Sequence, residues 1–275
     1  MRLKITHRTD YGYSSPVAYA LQRIRLTPPS GYCQDVPAWS ITLEGAAEEV
    51  RYRDLFGNET RLLSASGDAH TISVTASGEV DTRDTNGLAG PHTGFAPLWL
   101  LQAPTDLTAP GDAVKDLAGS VSGGNDLERL HRLMGVIGER VAYTVGSTTA
   151  MTTAEQALVQ RQGVCQDHAH IFAAAARLMG YPACYVSGYL KLDDRADQVA
   201  THAWAEAYVD GLGWVSFDPS NGISTDERYV RVAWGRDYRD AMPISGITFG
   251  QPDERLEVNI TVEQYSPPQT GGQNQ

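Results

Sequence analysis

Apolar residues recur at every second position through most of the first 80 residues. Leu3 and Ile5 alternate with charged neighbours, and Ile24 and Leu26 alternate with Arg23 and Arg25 until Pro28-Pro29 stops the run. Trp39, Ile41 and Leu43 repeat the pattern, as do Val50 with Tyr52 and Ile72 with Val74. Period-two segments separated by Gly, Pro and Asn predict a small antiparallel β domain over residues 1–82, with Phe56-Gly57-Asn58 as a turn between two strands. Its simplest reading is a scaffold.

From 83 to 111 the pattern weakens into Gly-, Pro- and Thr-rich sequence around one apolar island, Leu98-Trp99-Leu100-Leu101, and is read as a connector. The period then changes to that of a helix. Asn125 with Glu128 three residues on forms a capping box, and Leu127, Leu130, Leu133, Met134, Ile137 and Val141 follow on one face. Thr153-x-x-Gln156 opens a shorter helix, and a third runs from Cys165 to Met179 before Gly180 and Pro182. Strand-like runs at 183–190, 201–209 and 213–218 come after the helices. Residues 112–265 are therefore predicted as an α+β core, and 266–275 as a frayed tail.

Composition narrows the function. With 22 basic against 33 acidic residues the net charge is −11, which lacks the basic footprint of a nucleic-acid binder. Three cysteines cannot make a disulfide framework. The Met1-Arg2-Leu3-Lys4-Ile5 start has no apolar leader, and no run of 18 apolar residues is present, so neither a membrane partner nor a secretion signal is expected. Together these predict a cytoplasmic protein.

The chemistry concentrates in three segments. In Gly163-Val164-Cys165-Gln166-Asp167-His168 a cysteine opens a helix, where free N–H groups and the positive dipole end favour a thiolate. In Thr201–Val209 the residues His202, Trp204, Glu206 and Tyr208 share one strand face, and in Gly213–Pro219 so do Trp214, Ser216 and Asp218. A three-residue loop 209–211 pairs Tyr208 with Leu212 and sets His202 directly opposite Asp218, within reach of a carboxylate–imidazole hydrogen bond. Cys165, His202 and Asp218 then form a thiol triad, with the Cys165 backbone N–H as an oxyanion donor. Tyr143 is a second oxyanion candidate. Asp167, His168, Trp204 and Trp214 are cleft candidates, although the simpler readings are a first-turn helix acid for Asp167, a helix-surface residue for His168 and packing for the tryptophans. His170 is expected to be packed or to line the cleft. Cys184 is expected in the core, and Cys33 has no assigned role. His168 and His170, two apart on a helix, do not share a face, and no zinc or calcium motif occurs, so no metal or cofactor is expected.

The segments GVCQDHAH, YVSGYL, THAWAEAYV and GWVSFDPSNG resemble the core of the transglutaminase-like superfamily, in the bacterial branch named for transglutaminase-like cysteine proteases. Tyr11-Gly12-Tyr13, Pro16-Val17, Arg25-Leu26 and Phe56-Gly57-Asn58 resemble the β-rich region that precedes this core in that branch. Gly235-Arg236-Asp237-Tyr238 with Met242-Pro243 continues the likeness. The resemblance implies a papain-like α+β catalytic core and carries catalytic roles onto Cys165, His202 and Asp218. The sequence departs from the family at His168, where an aromatic residue is commoner, and at Cys184, where an arginine is. The function it implies is acyl chemistry on a peptide or glutamine carboxamide through a thioester, with hydrolysis of a protease or amidase type favoured. The alternatives are transglutamination onto an amine, or a non-catalytic peptide-binding module.

Overall fold

In the computed structural model, which describes residues 1–67, 69–249 and 253–265, the alternating N-terminal segments form two antiparallel sheets. Arg2–Tyr13 lies at the centre of a five-stranded sheet between Thr71–Thr82 and Glu254–Gln264, with Gln34–Glu44 and Asp197–Gln198 at its edges. Tyr19–Ile24, Glu59–Ser66, Ala47–Arg53 and Ile244–Phe249 form a four-stranded sheet. Alternation decides the packing: Leu3, Ile5, Ile72 and Val74 are fully buried, while Arg2, Lys4, Arg8 and Asp10 are not. One end of the buried face, with Leu3, Ile5 and Val80, packs on Tyr189, Val230 and Val232. The other end, with Val74 and Ala76, packs on Ile24 and Leu63. The expected tail, 266–275, lies outside the described residues.

Ile244–Phe249 and Glu254–Gln264 fall within the segment expected as core, yet they return to the N-terminal sheets. Glu254–Gln264 pairs along Arg2–Tyr13 from Leu3 with Gln264 to Tyr13 with Glu254, and buries Ile260 and Val262 beside Leu3 and Ile5. That pairing closes across nearly the whole chain, so no local signal announces it.

The second half holds its own five-stranded antiparallel sheet, in the order Tyr229–Gly235, Ala183–Leu190, His202–Val209, Gly213–Phe217 and Leu88–Gly90. The last of these comes from the expected connector. The Cys165–Leu178 helix packs on the small residues Ala203, Ala205 and Ala207, and the run Asp167 to Arg177 is buried. Four successive alanines, Ala173 to Ala176, let the helix approach the sheet closely. Helices Asp126–Arg140 and Ala154–Gln160 begin at the expected capping boxes. A further helix, Asp112–Ser120, lies in a stretch that gave no helix start. Its N-cap is Gly111, and the Glu155 carboxylate supplies the missing cap by accepting the N–H groups of Gly111, Ala113 and Val114 at 2.9–3.0 Å.

Two buried amides join the halves. Asn58 donates to Trp234 O at 2.8 Å and accepts from Trp234 N at 3.0 Å. Gln34 does the same at Arg231, at 2.8 Å each way. Tyr229–Gly235 is an edge strand of the core sheet, so the N-terminal region covers an edge that would otherwise present unpaired backbone.

Candidate active site

Cys165 is the first residue of its helix. The preceding turn is fixed by Asp167, which is 1% exposed and accepts from Val164 N at 2.8 Å and from Thr148 Oγ1 at 2.7 Å. Burial holds its carboxyl above the ordinary value against those bonds, and from the third helical position Asp167 reaches back to satisfy the N–H of Val164, the N-cap. Gly163 is required by proximity: a Cβ there would sit 2.7 Å from that of Asp167. Gln162–Gly163 pairs in parallel with Ala142–Tyr143, which brings the Tyr143 ring beside the thiol. Burial, then the neighbouring Cys165, pushes the Tyr143 phenol up to about 12, so it is a neutral donor at physiological pH.

The His202–Val209 and Gly213–Phe217 hairpin differs from its expected register. Tyr208 pairs with Trp214 rather than Leu212, and the loop is 210–212, with Gly211 at φ 81° and Leu212 N donating to Val209 O. Gly213 is drawn into the ladder because its Cα lies against the Gly90 backbone, where a Cβ would meet Gly90 O at 2.5 Å; Leu212 is left 46% exposed. The slip is two residues, so every side chain keeps its face. His202 is therefore not directly opposite Asp218. The ladder ends at Ala205 with Phe217, and Asp218 bridges instead to Ile223 and meets His202 on the diagonal, Nε2 to Oδ2 at 2.7 Å.

Asp218 is fully buried and surrounded by donors. Oδ2 also accepts from Tyr229 OH at 2.8 Å and Asn221 Nδ2 at 2.7 Å, while Oδ1 accepts from Ser220 N at 3.0 Å and Ser220 Oγ at 2.6 Å. Burial pushes its carboxyl up, but His202 and then Ser220 and Asn221 outweigh it and hold it at about 2. For His202, burial pulls the ring down. The bond to Asp218 and the adjacent Cys165 thiol more than reverse this, raising it to about 10, so His202 is an imidazolium at neutral pH. Nε2 belongs to Asp218, which leaves Nδ1 for the thiol.

The remaining candidates separate. Trp204 lies behind His202, ring centroids 6.3 Å apart, and forms part of its wall. His168 is buried rather than on a helix surface, because the helix is enclosed from Asp167 to Arg177. Its ring nitrogens lie 2.9 Å from Val164 O and 3.0 Å from Val141 O, and the ring supports Tyr143 from below at 6.2 Å. His170 is buried, lowered by desolvation to about 3, and accepts from Tyr238 N. Trp214 is remote from the triad, packed on Trp234 and hydrogen-bonded to His92. Cys184 is fully buried, as expected, and Arg236 pairs with Asp240 at 2.9 Å. Ser220, Asn221 and Tyr229 carried no assignment from sequence. The first two sit in the turn-forming string Asp218-Pro219-Ser220-Asn221-Gly222, a usable signal, whereas Tyr229 arrives from a strand two places away in the sheet.

Residues 115–219 match the family model of the transglutaminase-like superfamily, and residues 3–81 match that of the bacterial transglutaminase-like N-terminal region. An uncharacterized protein of Mycobacterium tuberculosis is 32% identical over 289 residues, covering 95% of this chain and 92% of its own. One of Mycobacterium leprae is 29% identical over 287 residues, covering 95% and 98%. A crystal structure from Cytophaga hutchinsonii, described as a "Putative Cysteine Protease", is 24% identical with a TM-score of 0.73, covering 97% of this chain and 92% of that one, and is similar in fold. With both models matched in order and the mycobacterial relatives aligned almost end to end, the chain belongs to the transglutaminase-like superfamily, with the bacterial N-terminal region of that family ahead of its core.

Proposed function

We propose that the protein is a thiol hydrolase of amide bonds in peptides or proteins, with Cys165 as nucleophile, His202 as proton carrier and Asp218 as its orienting partner. The observation that carries this reading is the 2.7 Å bond from His202 Nε2 to a buried Asp218, which fixes the ring with Nδ1 free beside Cys165. The Cys165 sulfur attacks the amide carbonyl carbon, and the electron pair of the C=O moves to oxygen. The Cys165 N–H at the helix start and the Tyr143 hydroxyl are the donors within reach of that oxyanion. As the oxyanion collapses, the C–N bond breaks and His202 Nδ1 delivers its proton to the departing nitrogen, leaving a thioester. Water then attacks the thioester, His202 takes the water's proton, and the acid product leaves with the thiolate restored. Tyr143 is 55% exposed and Cys165 is itself partly exposed, so water has direct access to the thioester.

The test is incubation with a glutamine-containing peptide library, with and without a primary amine, followed by intact mass and ammonia release, with Cys165→Ala as control. Backbone cleavage or ammonia release that depends on Cys165 is the expected result. Amine incorporation in place of hydrolysis overturns the choice of water and assigns transglutamination. If every arm is silent and Cys165 also alkylates no faster than Cys33, the catalytic reading fails and a peptide-binding module replaces it.

A further inference from the structure

The sheet face that carries His202 at one end also walls a cavity of about 470 Å³ at the other, between the core sheet, the 29–34 loop, the 53–58 turn and the 89–95 segment. The proposed mechanism uses none of it. Glu206 lies four residues along the strand from His202, about 13 Å away at strand spacing. The volume is in the ordinary range for a small-molecule site.

The walls are aromatic. Trp214 and Trp234 are buried with ring centroids 6.0 Å apart, and Phe56 meets Trp234 edge-on at 5.4 Å. Arg231 lies over the Trp234 ring at 5.1 Å, so these buried rings show the cavity their edges, while Tyr32 and Phe95 on the same lining are exposed; together they suit a flat, conjugated body. The charged groups on the lining are two arginines and one glutamate. Arg231 grips Glu206 through Nε at 3.0 Å and Nη2 at 3.1 Å, which occupies both carboxylate oxygens. Its Nη1 makes no hydrogen bond among the described residues, and the side chain remains 20% exposed. His92 accepts the Trp214 indole N–H on Nδ1 at 3.2 Å, so its neutral form carries the proton on Nε2 and offers it as a donor. Arg53, exposed on the lining, makes no side-chain hydrogen bond or ion pair among the described residues.

Glu206 is the single carboxylate on the lining, and it is already neutralised by Arg231. The lining therefore carries a surplus positive charge in a chain whose net charge is −11. A site with aromatic walls, unspent N–H donors and that surplus fits one chemistry. We propose that this cavity binds a small planar aromatic acid, its ring system against Trp214, Trp234 and Phe56 and its carboxylate towards Arg53, Arg231 and His92.

The probe is 2-naphthoate, titrated into the full chain by calorimetry beside the neutral isostere 2-naphthamide. The acid is expected to bind saturably at one site, at least about tenfold more tightly than the amide. Arg53→Gln, at an exposed residue with no side-chain hydrogen bond or ion pair among the described residues, should weaken the acid by a similar factor and leave the amide unchanged. His92→Phe should act in the same direction. Cys165→Ala should bind the acid as the native protein does, which separates this site from the triad. Absence of saturable binding up to about 1 mM overturns the proposal. So do equal affinities for acid and amide, or acid binding that Cys165→Ala abolishes and Arg53→Gln does not.

Discussion

Replacing Asp218 by Asn leaves the shape of the site and removes the charge that His202 faces. In the native protein His202 is raised from 6.5 to about 10, a preference for the imidazolium of about 5 kcal/mol. Its side chain is only 12% exposed and that of Asp218 is fully buried, so solvent screening does little to reduce the pair. Asp218 is the largest of the influences that raise His202, with the Cys165 thiol next, and burial opposes both. The amide keeps one acceptor oxygen, so the Asp218→Asn variant also forgoes the donors on one side of the carboxylate, Ser220 on Oδ1 or Tyr229 and Asn221 on Oδ2. His202 in Asp218→Asn should therefore lose its proton at least one pH unit lower, about tenfold in imidazolium preference.

The same shift fixes a stability window. A raised His202 contributes fully below pH 6.5 and loses that contribution as the pH climbs through about 10. A depressed Asp218 contributes fully above 3.8 and loses its share as the pH falls through about 2. Native protein and variant should thus differ most between pH 3.8 and 6.5, and the gap should narrow on either side. Urea unfolding across pH measures the gap, and NMR of labelled histidine follows His202 directly. Iodoacetamide alkylation, read peptide by peptide, reports the thiol without needing the natural substrate. Burial pushes Cys33 up and Cys184 well up, so both react slowly in the background. Fast labelling of Cys165 at neutral pH should drop about tenfold or more in Asp218→Asn, with the alkaline limb of the activity profile displaced downward. An Asp218→Asn protein in which His202 titrates and Cys165 alkylates as in the native chain refutes the coupling.

Two further outcomes concern the frame that holds the site. Glu155→Ala removes three N–H bonds at the start of the Asp112–Ser120 helix and should cost about 1–2 kcal/mol, seen as a lower urea midpoint at unchanged slope. Asn58→Ala orphans the N–H and C=O of buried Trp234 and should cost about 1–3 kcal/mol; a loss under about 0.5 kcal/mol would mean that water replaces the amide.

What could be read from the sequence follows the range of the interactions. Asn125 with Glu128 and Thr153 with Gln156 are caps closed within three residues, and both helices start where those pairs place them. The Asp112–Ser120 helix depends on Glu155, more than 40 residues on, and its own first turn offers only Gly111. The strands Ile244–Phe249 and Glu254–Gln264 take their partners from the other end of the chain. His168 was misplaced for a related reason. A histidine between Asp167 and Ala169 looks amphipathic by its neighbours, and it is the C-cap Val141 of the preceding helix and Tyr143 of the 142–143 strand that cover it.

The hairpin shows why the contact between His202 and Asp218 could be read although the register could not. The contact between His202 and Asp218 requires that both lie on one face and near the same end of two adjacent strands. Face is a matter of parity, and a loop change that moves the pairing by two residues preserves it. A one-residue slip would have turned Asp218 towards the helix that packs on Ala203 and Ala205, and left His202 without a carboxylate. Position along the strand is corrected locally. Asp218 leaves the ladder after Phe217, bonds to Ile223, and is swung back by Ser220 and Asn221 until Oδ2 meets the imidazole. The turn residues after Asp218 therefore do work that strand pairing alone was expected to do, so the Pro219-Ser220-Asn221-Gly222 string belongs to the site as much as the aspartate it follows.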